Sequence, residues 1–449
     1  MATLRKPKAV MVPFGYWGYP EDLLDKLQKD SQDMLKSLGI DVTTVSRANV
    51  WEDAAVTAAE LRQQDFDFMV VLNLAWSEAL IVTETIQEHF LKPILLWSHT
   101  MWKDEPSGEF HNVGAVAGMG VLRETFEEMG LRFKFVWGMP DSEKVQREIR
   151  LHASVLSTMD RLKHSKIGLL GYGSMGMYTA FFDHLSLKRE LGPEVEQLDQ
   201  YVLIKKIEEM DNKCVKTYMD VAHKEWEISE AVKDEDLQTT FKMYQALKDL
   251  VKEWDWSAVT VKCQYELSKD YKHVPCVPLS MLGNELPCSC EGDIPLITTQ
   301  LAMHYLSGGE TVTYCDIHDI RERSIICAAC GYAPFSMCEG CPKVDKTETI
   351  YEGVGNCAIY REGPVTAARL AYTRDRKYKM HIITGNAHHA PPFREVGCLT
   401  YPSMEIDIDG DANHFGQHMM SQHYAIMYGD YKQQLIEFCK LMNIQEVVS

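Results

Sequence analysis

Three segments that lie far apart in the chain carry side chains suited to binding a hard divalent cation. Glu291, in "SCEGDIPLI", begins a stretch predicted to form an amphipathic helix, and Asp316, in "TYCDIHDI", ends a predicted strand. His423, in "SQHYAIMY", opens an apolar, strand-like run. Two carboxylates and one imidazole suit Mn²⁺ or Mg²⁺ better than they suit zinc, copper or iron–sulfur chemistry. Composition alone does not select these residues, because a Glu at a helix start also serves as a capping charge.

A cysteine-rich segment offers a second type of ligand. "CAACGYAPFSMCEGC" contains two C-x-x-C pairs, Cys327 with Cys330 and Cys338 with Cys341. Four thiolates are the ligand set of a structural zinc site, although the loop between these pairs is shorter than in zinc ribbons. The pattern therefore predicts a structural metal here, with buried free thiols as the alternative.

A third pattern is formed by the glycines of "IGLLGYGSMGMY", where Gly171, Gly173 and Gly176 have the spacing G-x-G-x-x-G after a predicted strand. A dinucleotide site also needs an acidic residue about 20 positions further on, at the end of a second strand. Glu194 and Glu196 lie near that distance, but only a brief strand pattern surrounds them. Two interpretations stay open: cofactor binding, or glycines that let a strand–helix turn pack closely.

The order of the predicted elements indicates an α/β fold in three domains. Residues 1–165 alternate apolar strands with helices, which is typical of a Rossmann-like parallel sheet covered on both faces. A new strand begins at Lys166, so a second Rossmann-like α/β domain is expected over 166–343, carrying Glu291 and Asp316. Short strands separated by glycines predict a smaller β-rich, antiparallel or barrel-like domain over 344–449, carrying His423.

Charge and hydropathy exclude several classes of partner. The formal net charge of −19 argues against nucleic-acid binding, which needs a basic surface. No apolar run approaches the roughly 20 residues of a membrane helix, and the N-terminal segment has no signal-peptide pattern. Together with 13 cysteines, these features predict a cytoplasmic protein without a membrane partner.

The chain resembles the superfamily of L-fucose isomerase and L-arabinose isomerase, which are metal-dependent ketol isomerases, over nearly its whole length. "CEGDIPLITTQLAMHYLSGGETVTYCDI" is similar to a family segment in which a metal-binding Glu precedes a second metal-binding acid by about 25 residues. "ACGYAPFS" resembles the Cys-Gly-x-x-Pro turn that follows. "SQHYAIMYGDYKQQLIEFCKLMNI" resembles the His-containing C-terminal segment.

The resemblance implies that Glu291, Asp316 and His423 bind Mn²⁺ or Mg²⁺, and that the two carboxylates also transfer protons. Ala329 stands where family members often carry a histidine, so no fourth protein ligand is expected there. Asp316, where the arabinose branch has Glu, indicates the fucose-like side. Gly171–Gly176 fall where the family has a strand–helix turn without a nucleotide.

The implied activity is the interconversion of an aldose and its ketose through a metal-stabilised cis-enediolate. The substrate stays open among fucose, arabinose, another pentose, a 6-deoxy hexose and a hexose with an anionic C6 group. Sugar pockets are usually completed by aromatic and polar side chains, and Trp17, Trp76, Gln417 and His418 are the candidates. The resemblance also implies a homo-oligomer, such as a hexamer, in which first-domain residues reach the active site of a neighbouring subunit.

Two functions of other classes remain as alternatives. A non-catalytic sugar-binding protein built from two α/β lobes would need no metal ligands. A nicotinamide-dependent oxidoreductase would use Gly171–Gly176. Arg321 and Arg323 follow Asp316 and could face an anionic substituent, although solvated surface charge explains them equally well.

Overall fold

The computed structural model describes residues 6–104, 106–347, 351–394 and 398–449. Its contacts divide the chain into two compact units, one that ends at Arg161 and one that begins at Leu162. This division lies close to the boundary predicted at 165/166. Among the residues described, no helix combines the length and the apolar character needed to cross a bilayer.

The N-terminal unit is built around a five-stranded parallel sheet. Its elements in chain order are β1 Lys8–Phe14, α1 Glu21–Ser37, β2 Asp41–Thr44, α2 Trp51–Leu61, β3 Phe68–Asn73, α3 Ala79–Ile86, β4 Ile94–Ser98, β5 Trp102–Lys103, β6 Phe110–His111, α4 Ala115–Glu128, β7 Phe133–Trp137 and α5 Glu143–Lys163. The strand order is β2-β1-β3-β4-β7, with every neighbour parallel. Strands β3 and β4 are buried at every position, as expected where both faces of a parallel sheet are covered.

The C-terminal unit contains a second parallel sheet and a barrel. Its elements are β8 Lys166–Leu170, α6 His184–Glu190, β9 Glu194–Leu198, α7 Gln200–Glu209, α8 Lys216–Glu225, β10 Glu227–Ile228, α9 Asp234–Trp254, β11 Ala258–Val261, α10 Cys276–Leu282, β12 Cys288–Cys290, α11 Ile294–Leu306, β13 Thr313–Ile320, β14 Ser324–Ala328, β15 Lys343–Thr347, β16 Gly353–Asn356, β17 Gly363–Tyr372, β18 Tyr378–His388, β19 Ser403–Ile408, α12 Ala412–His418, β20 His423–Tyr428, α13 Lys432–Leu441 and β21 Gln445–Val448. The parallel sheet has the order β12-β11-β8-β9, and a small sheet has the order β10-β15-β16.

Six strands of this unit close into an antiparallel barrel. Their order is β17-β20-β13-β14-β19-β18, and β18 pairs with β17 to close the ring, while β21 adds to β18 in parallel. Apolar side chains from alternate positions fill the barrel, among them Cys315, Ile325, Ile383 and Ile426. Closure leaves these six strands without an exposed edge.

The barrel begins earlier in the chain than the β-rich domain predicted for 344–449. Strands β13 and β14 belong to the barrel, yet they precede residue 344 and fall in the segment assigned to the second α/β domain. Their partners β20 and β19 lie 75 to 113 positions later in the chain, and this pairing is set by topology, which a local pattern does not contain. The Rossmann-like character of both α/β regions and the division into three domains stay predictions.

Helix α11 connects the parallel sheet to the barrel. The sequence predicts an amphipathic helix that Glu291 begins, whereas α11 begins at Ile294 and its side chains from Ile294 to Met303 are all buried. The helix packs against β11 and β12 on one side and against β17 and β20 on the other. Between two sheets this stretch has no solvent face, and its polar side chains, such as Gln300, bond to neighbouring backbone groups, so the prediction of an amphipathic helix was wrong.

Gly168 in β8 allows Trp256 to pack directly on the parallel sheet, because a Cβ at position 168 would lie 2.2 Å from Cε3 of the indole. Gly168→Ala is expected to lower the free energy of unfolding by about 1–3 kcal/mol through overpacking. The measurement is chemical denaturation followed by circular dichroism. Gly416→Ala in α12 is the control. A Cβ there would meet only Ile320 Cδ1 at 3.4 Å, so it should be neutral or stabilise by up to about 1 kcal/mol. Equal stability of the two variants would contradict the packing described.

Candidate metal-binding active site

The structure brings Glu291, Asp316 and His423 together. His423 Nε2 lies 3.2 Å from Glu291 Oε2 and 3.2 Å from Asp316 Oδ1. The imidazole is fully buried, whereas the side chains of Glu291 and Asp316 are 7% and 23% exposed. The cluster is therefore most open to solvent at Asp316, and a polar ligand would approach from that side. That these residues share a cation stays a prediction.

The barrel positions two members of this cluster. Asp316 in β13 and His423 in β20 are direct cross-strand partners in an antiparallel pair. Directly opposite residues project from the same face of a sheet, so the strand register itself brings the carboxylate next to the imidazole. His423 is the first residue of β20, but Asp316 lies within β13, which continues to Ile320. Its predicted place at a strand end was wrong.

Glu291 is held in an unusual backbone conformation between β12 and α11. Glu291 and the following Gly292 have φ values of 71° and 70°, in the left-handed region that side chains other than glycine rarely adopt. The Glu291 N–H donates to the Val261 carbonyl at 2.8 Å. Such a conformation persists only where the surroundings impose it, and it is commonest at functional sites.

The glycine-rich loop after β8 is one of those surroundings. The Ser174 N–H donates to the Glu291 carbonyl at 2.9 Å. A Cβ at Gly292 would lie 2.3 Å from the Tyr172 carbonyl oxygen, so loop and turn are in backbone contact. The next α-helix begins only at His184, so no helix N-terminus follows the loop directly, as a bound pyrophosphate would require. This geometry favours the close-packing interpretation of Gly171–Gly176.

Asp293 completes the cluster, and sequence reasoning did not select it. One carboxylate oxygen accepts the N–H of Leu296 and caps α11, at 3.0 Å. The other lies 2.8 Å from His423 Nδ1 and accepts a hydrogen bond from Arg369 Nη1, also at 2.8 Å. Both Asp293 and Arg369 are fully buried. The only sequence signal was an acid just before a helix with proline in its first turn, which predicts a cap and nothing more.

The charges of the cluster fit a divalent cation. Three carboxylates contribute −3 and Arg369 contributes +1, which leaves −2 beside the imidazole. Burial alone would lower the pKa of His423, but Asp316, together with Asp293 and Glu291, raises it well above its ordinary value. Burial alone would raise the pKa of Asp293, but Arg369 and His423 hold it below its ordinary value.

The hydrogen bond to Asp293 also suits His423 to be a metal ligand. A carboxylate that accepts the Nδ1 proton fixes the orientation of the ring, and a cation at Nε2 would take the place of the proton that the neighbouring carboxylates favour there. In this structure Nε2 is the atom that faces Glu291 and Asp316. Two hard carboxylate oxygens and one oriented imidazole nitrogen are a suitable ligand set for Mn²⁺ or Mg²⁺.

Two glutamines near the cluster were also missed. Gln264 lies just beyond β11, at the same edge of the parallel sheet as Glu291, and is almost fully buried. Within the described part of the chain its Oε1 and Nε2 have no hydrogen-bond partner, which is costly unless a ligand or water satisfies them. Gln422 is half-buried next to His423, with its Nε2 3.5 Å from the His423 Nε2. An isolated glutamine gives no sequence signal for either role.

The other predicted substrate-binding residues lie elsewhere in the chain. Trp17 and Trp76 belong to the N-terminal unit, with exposed fractions of 65% and 38%. Gln417 and His418 are exposed in the last turn of α12, where the His418 Nδ1 lies 2.9 Å from the His414 carbonyl. Their roles in substrate binding stay predictions.

The paired cysteines of the predicted structural metal site have separate surroundings. Cys327 Sγ contacts the Met404 carbonyl at 3.7 Å inside the barrel, and Cys338 Sγ contacts the Pro334 carbonyl at 3.6 Å. Cys341 is exposed and its Sγ lies 3.6 Å from Glu227 Oε1. A metal bound by Cys327, Cys330, Cys338 and Cys341 remains a prediction that none of these contacts supports.

Arg321 has carboxylate partners of its own. Its Nη1 donates to Glu405 at 3.0 Å and its Nε to Asp319 at 3.2 Å, at the protein surface. These two acids balance the guanidinium charge, so the geometry favours the surface-charge interpretation of Arg321 over contact with an anionic substrate.

Comparison with known proteins relates the chain to isomerases that act on a sugar. No protein-family model matches the chain. Several relatives carry the name sulfoquinovose isomerase. The protein of Priestia aryabhattai is 24% identical over 386 residues, covering 81% of each chain. That of Alkalicoccus urumqiensis is 19% identical over 445 residues, covering 97% of this chain and 98% of its own. That of Clostridium sp. (strain MSTE9) is 21% identical over 394 residues, covering 85% and 86%.

Solved structures add no argument about the fold. The glucose-galactose binding protein GanP of Geobacillus stearothermophilus aligns with 68% of this chain and 92% of its own at 10% identity, but the TM-score is 0.17. This likeness is too weak to support a sugar-binding protein over an enzyme.

The buried pair of Asp293 and Arg369 should be essential to the stability of the C-terminal unit. Arg369→Met would leave the Asp293 carboxylate uncompensated, and we expect it to lower the free energy of unfolding by about 3–5 kcal/mol in a denaturation experiment. Arg321→Met, which removes an arginine from an exposed pair, is the control and should change stability very little. The same small effect in both variants would show that the buried pair does not contribute as described.

Proposed function

We propose that this protein is a metal-dependent aldose–ketose isomerase that acts on a hexose modified at C6. The observation that carries the proposal is the convergence of Glu291 and Asp316 on the Nε2 of a histidine whose Nδ1 is held by a buried carboxylate. The name shared by the relatives supports the same class of reaction, over most of the chain.

In this proposal Glu291, Asp316 and His423 hold Mn²⁺ or Mg²⁺. When bound, such a cation acts as a Lewis acid, which polarises a sugar carbonyl and stabilises the negative charge of an enediolate. Asp293 orients the imidazole and Arg369 keeps Asp293 ionised, so both act through His423 rather than on the sugar.

The chain's own carboxylates then carry the proton chemistry. Conversion of an aldose into its ketose moves one proton from C2 to C1 and another from the C2 hydroxyl to O1 of the open-chain sugar. A positioned carboxylate contributes typically 10²–10⁴-fold to such a proton transfer. The Glu291 side chain is buried and its backbone is held in the left-handed conformation, whereas the Asp316 side chain is more exposed. The two carboxylates therefore have different environments. Which of them acts as base and which as acid stays open.

The name of the relatives supports the proposed class of substrate. Sulfoquinovose is a hexose with a sulfonate at C6, and it belongs to the anionic C6-modified class that the sequence leaves open. The unused hydrogen-bonding groups of Gln264, at the edge of the sheet that carries Glu291, are available to a sugar hydroxyl. The homo-oligomer with a shared active site, and the cytoplasmic location, belong to the same proposal.

Metal dependence gives the first test of the proposed function. Glu291→Gln, Asp316→Asn and His423→Ala should each reduce the Mn²⁺ bound per chain in elemental analysis and reduce kcat/KM for sugar isomerisation by at least about 100-fold. Asp319→Asn is the matched control, because Asp319 lies on the same strand but is exposed and paired with Arg321. Chelator-treated protein should lose activity and regain it with Mn²⁺. Full activity without any divalent cation would refute the metal mechanism.

Substrate specificity gives the second test. The Mn²⁺-loaded protein is incubated with sulfoquinovose, glucose, L-fucose and L-arabinose, and the ketose formed is measured. We expect the highest kcat/KM with sulfoquinovose, at least about tenfold above glucose, because an anchored anionic group contributes roughly 1.5–3 kcal/mol. A preference for fucose or arabinose would support the proposed isomerase activity but contradict the proposal of a C6-modified substrate.

A further inference from the structure

Two thiols lie beside the proposed active site, and the function described above does not use them. The Cys263 Sγ, the Cys290 Sγ and a carboxylate oxygen of Glu291 all lie within 4.8 Å of one another, and the three residues are buried. Sequence spacing gives no hint of this group, since the cysteines are 27 positions apart. Among the described residues it is the one group of three cysteine, histidine or acidic side chains whose ligand atoms all lie within this distance of one another.

Strand adjacency produces this group. Cys290 ends β12 and is paired with Val261, the last residue of the neighbouring parallel strand β11. Cys263 follows two residues later, and Glu291 directly follows Cys290. All three therefore leave the same edge of the sheet, where the carboxyl ends of parallel strands meet. The backbone that holds them is packed against α11, so their closeness is not a feature of a surface loop.

The ligand set differs in kind from that of the proposed Mn²⁺ site. Two sulfurs with one carboxylate oxygen suit a thiophilic cation such as Zn²⁺ or Cd²⁺, and Mn²⁺ or Mg²⁺ prefers oxygen. Ligand atoms around a tetrahedral zinc are roughly 3–4 Å apart. The two sulfurs and the Glu291 oxygen already lie within 4.8 Å of one another, so small side-chain movements would bring them to these distances. Three protein ligands would leave the fourth position of the metal to water.

We propose that Cys263, Cys290 and Glu291 form an inhibitory binding site for a thiophilic divalent cation, Zn²⁺ or Cd²⁺. Each thiol loses its proton to solvent as the metal–sulfur bond forms, and no oxidation or reduction takes place. Glu291 then binds the thiophilic cation instead of facing His423 and Asp316. The binding site stands independently of the enzyme activity, whereas the inhibition rests on the proposed function.

Tyr314 connects the two sites physically. Its hydroxyl contacts the Cys290 sulfur, and its ring packs edge-on against the His423 imidazole with centroids 5.1 Å apart. Tyr314 is buried in β13, two residues before Asp316. A cation that moves the Cys290 sulfur therefore also disturbs the packing of His423, which adds to the loss of Glu291 from the proposed Mn²⁺ site.

Cd²⁺ titration of the reduced, metal-free protein tests the binding site without any assay of activity. We expect the first equivalent of Cd²⁺ to give the ultraviolet cadmium–thiolate charge-transfer band, and Zn²⁺ to displace it. Cys263→Ala and Cys290→Ala should each weaken this binding by more than about 10–100-fold, since even an outer-shell partner contributes that much. Cys439→Ala is the control, a buried thiol that contacts Met380. Circular dichroism checks the fold of each variant.

If Cys263→Ala and Cys290→Ala both bind Cd²⁺ with unchanged affinity, as measured by the charge-transfer band, the proposed site is overturned, because other cysteines would then hold the metal. The inhibitory role is tested separately, by the fraction of Mn²⁺-dependent activity that Cd²⁺ removes. We expect this fraction to fall in both variants and not in Cys439→Ala. If the protein shows no isomerase activity, the charge-transfer result still decides the site. If activity is present and the variants are inhibited as strongly as the wild type, the inhibitory role is rejected.

Discussion

The hydrogen bonds of the Asp293 carboxylate are the interactions on which the candidate site most depends. This one side chain caps α11, pairs with Arg369 of β17 and holds His423 of β20. It therefore ties the helix that follows the parallel sheet to two strands of the barrel. A buried carboxylate is costly unless every lone pair is satisfied, and here a backbone N–H, a guanidinium and an imidazole satisfy it. The same bonds that stabilise the junction between sheet and barrel fix the orientation of the imidazole.

The fold could be predicted from the sequence where its signals are local. Apolar strands that alternate with helices predicted the parallel α/β regions, and glycine-separated strands predicted an antiparallel barrel near the C-terminus. The start of the barrel could not be predicted, because β13 pairs with β20, and β14 with β19, across wide sequence separations. Helix α11 was misjudged for a related reason. Its polar residues Thr299 and Gln300 suggest a solvent face, yet they bond to backbone groups of the neighbouring β17 and β12.

The candidate site was predictable only in part, and the reason is physical. Glu291, Asp316 and His423 have ordinary local explanations, so it was the resemblance to ketol isomerases, and not the residue pattern, that selected them. Asp293 lies two residues from Glu291, but its burial and its three partners depend on the register of the barrel. The cysteines show a different limit of local patterns. The C-x-x-C spacing predicts a metal site, which stays a prediction, whereas the two thiols grouped with Glu291 come from the ends of two adjacent strands.

Glu291 lies between ligands of two chemical kinds, and this position constrains how such an enzyme could keep its metal. Its carboxylate faces the imidazole and Asp316 on one side and lies within 4.8 Å of two sulfurs on the other. Divalent zinc binds nitrogen, oxygen and sulfur ligands more tightly than manganese does, so affinity alone would favour zinc in either arrangement. If the protein holds Mn²⁺ as proposed, its selection would depend on the cation that the cell makes available and on the backbone at Glu291. The left-handed turn, packed against the Ser174 loop, restricts the directions in which the carboxylate can point. Under that proposal, the constrained glutamate would limit, but not remove, competition from thiophilic cations.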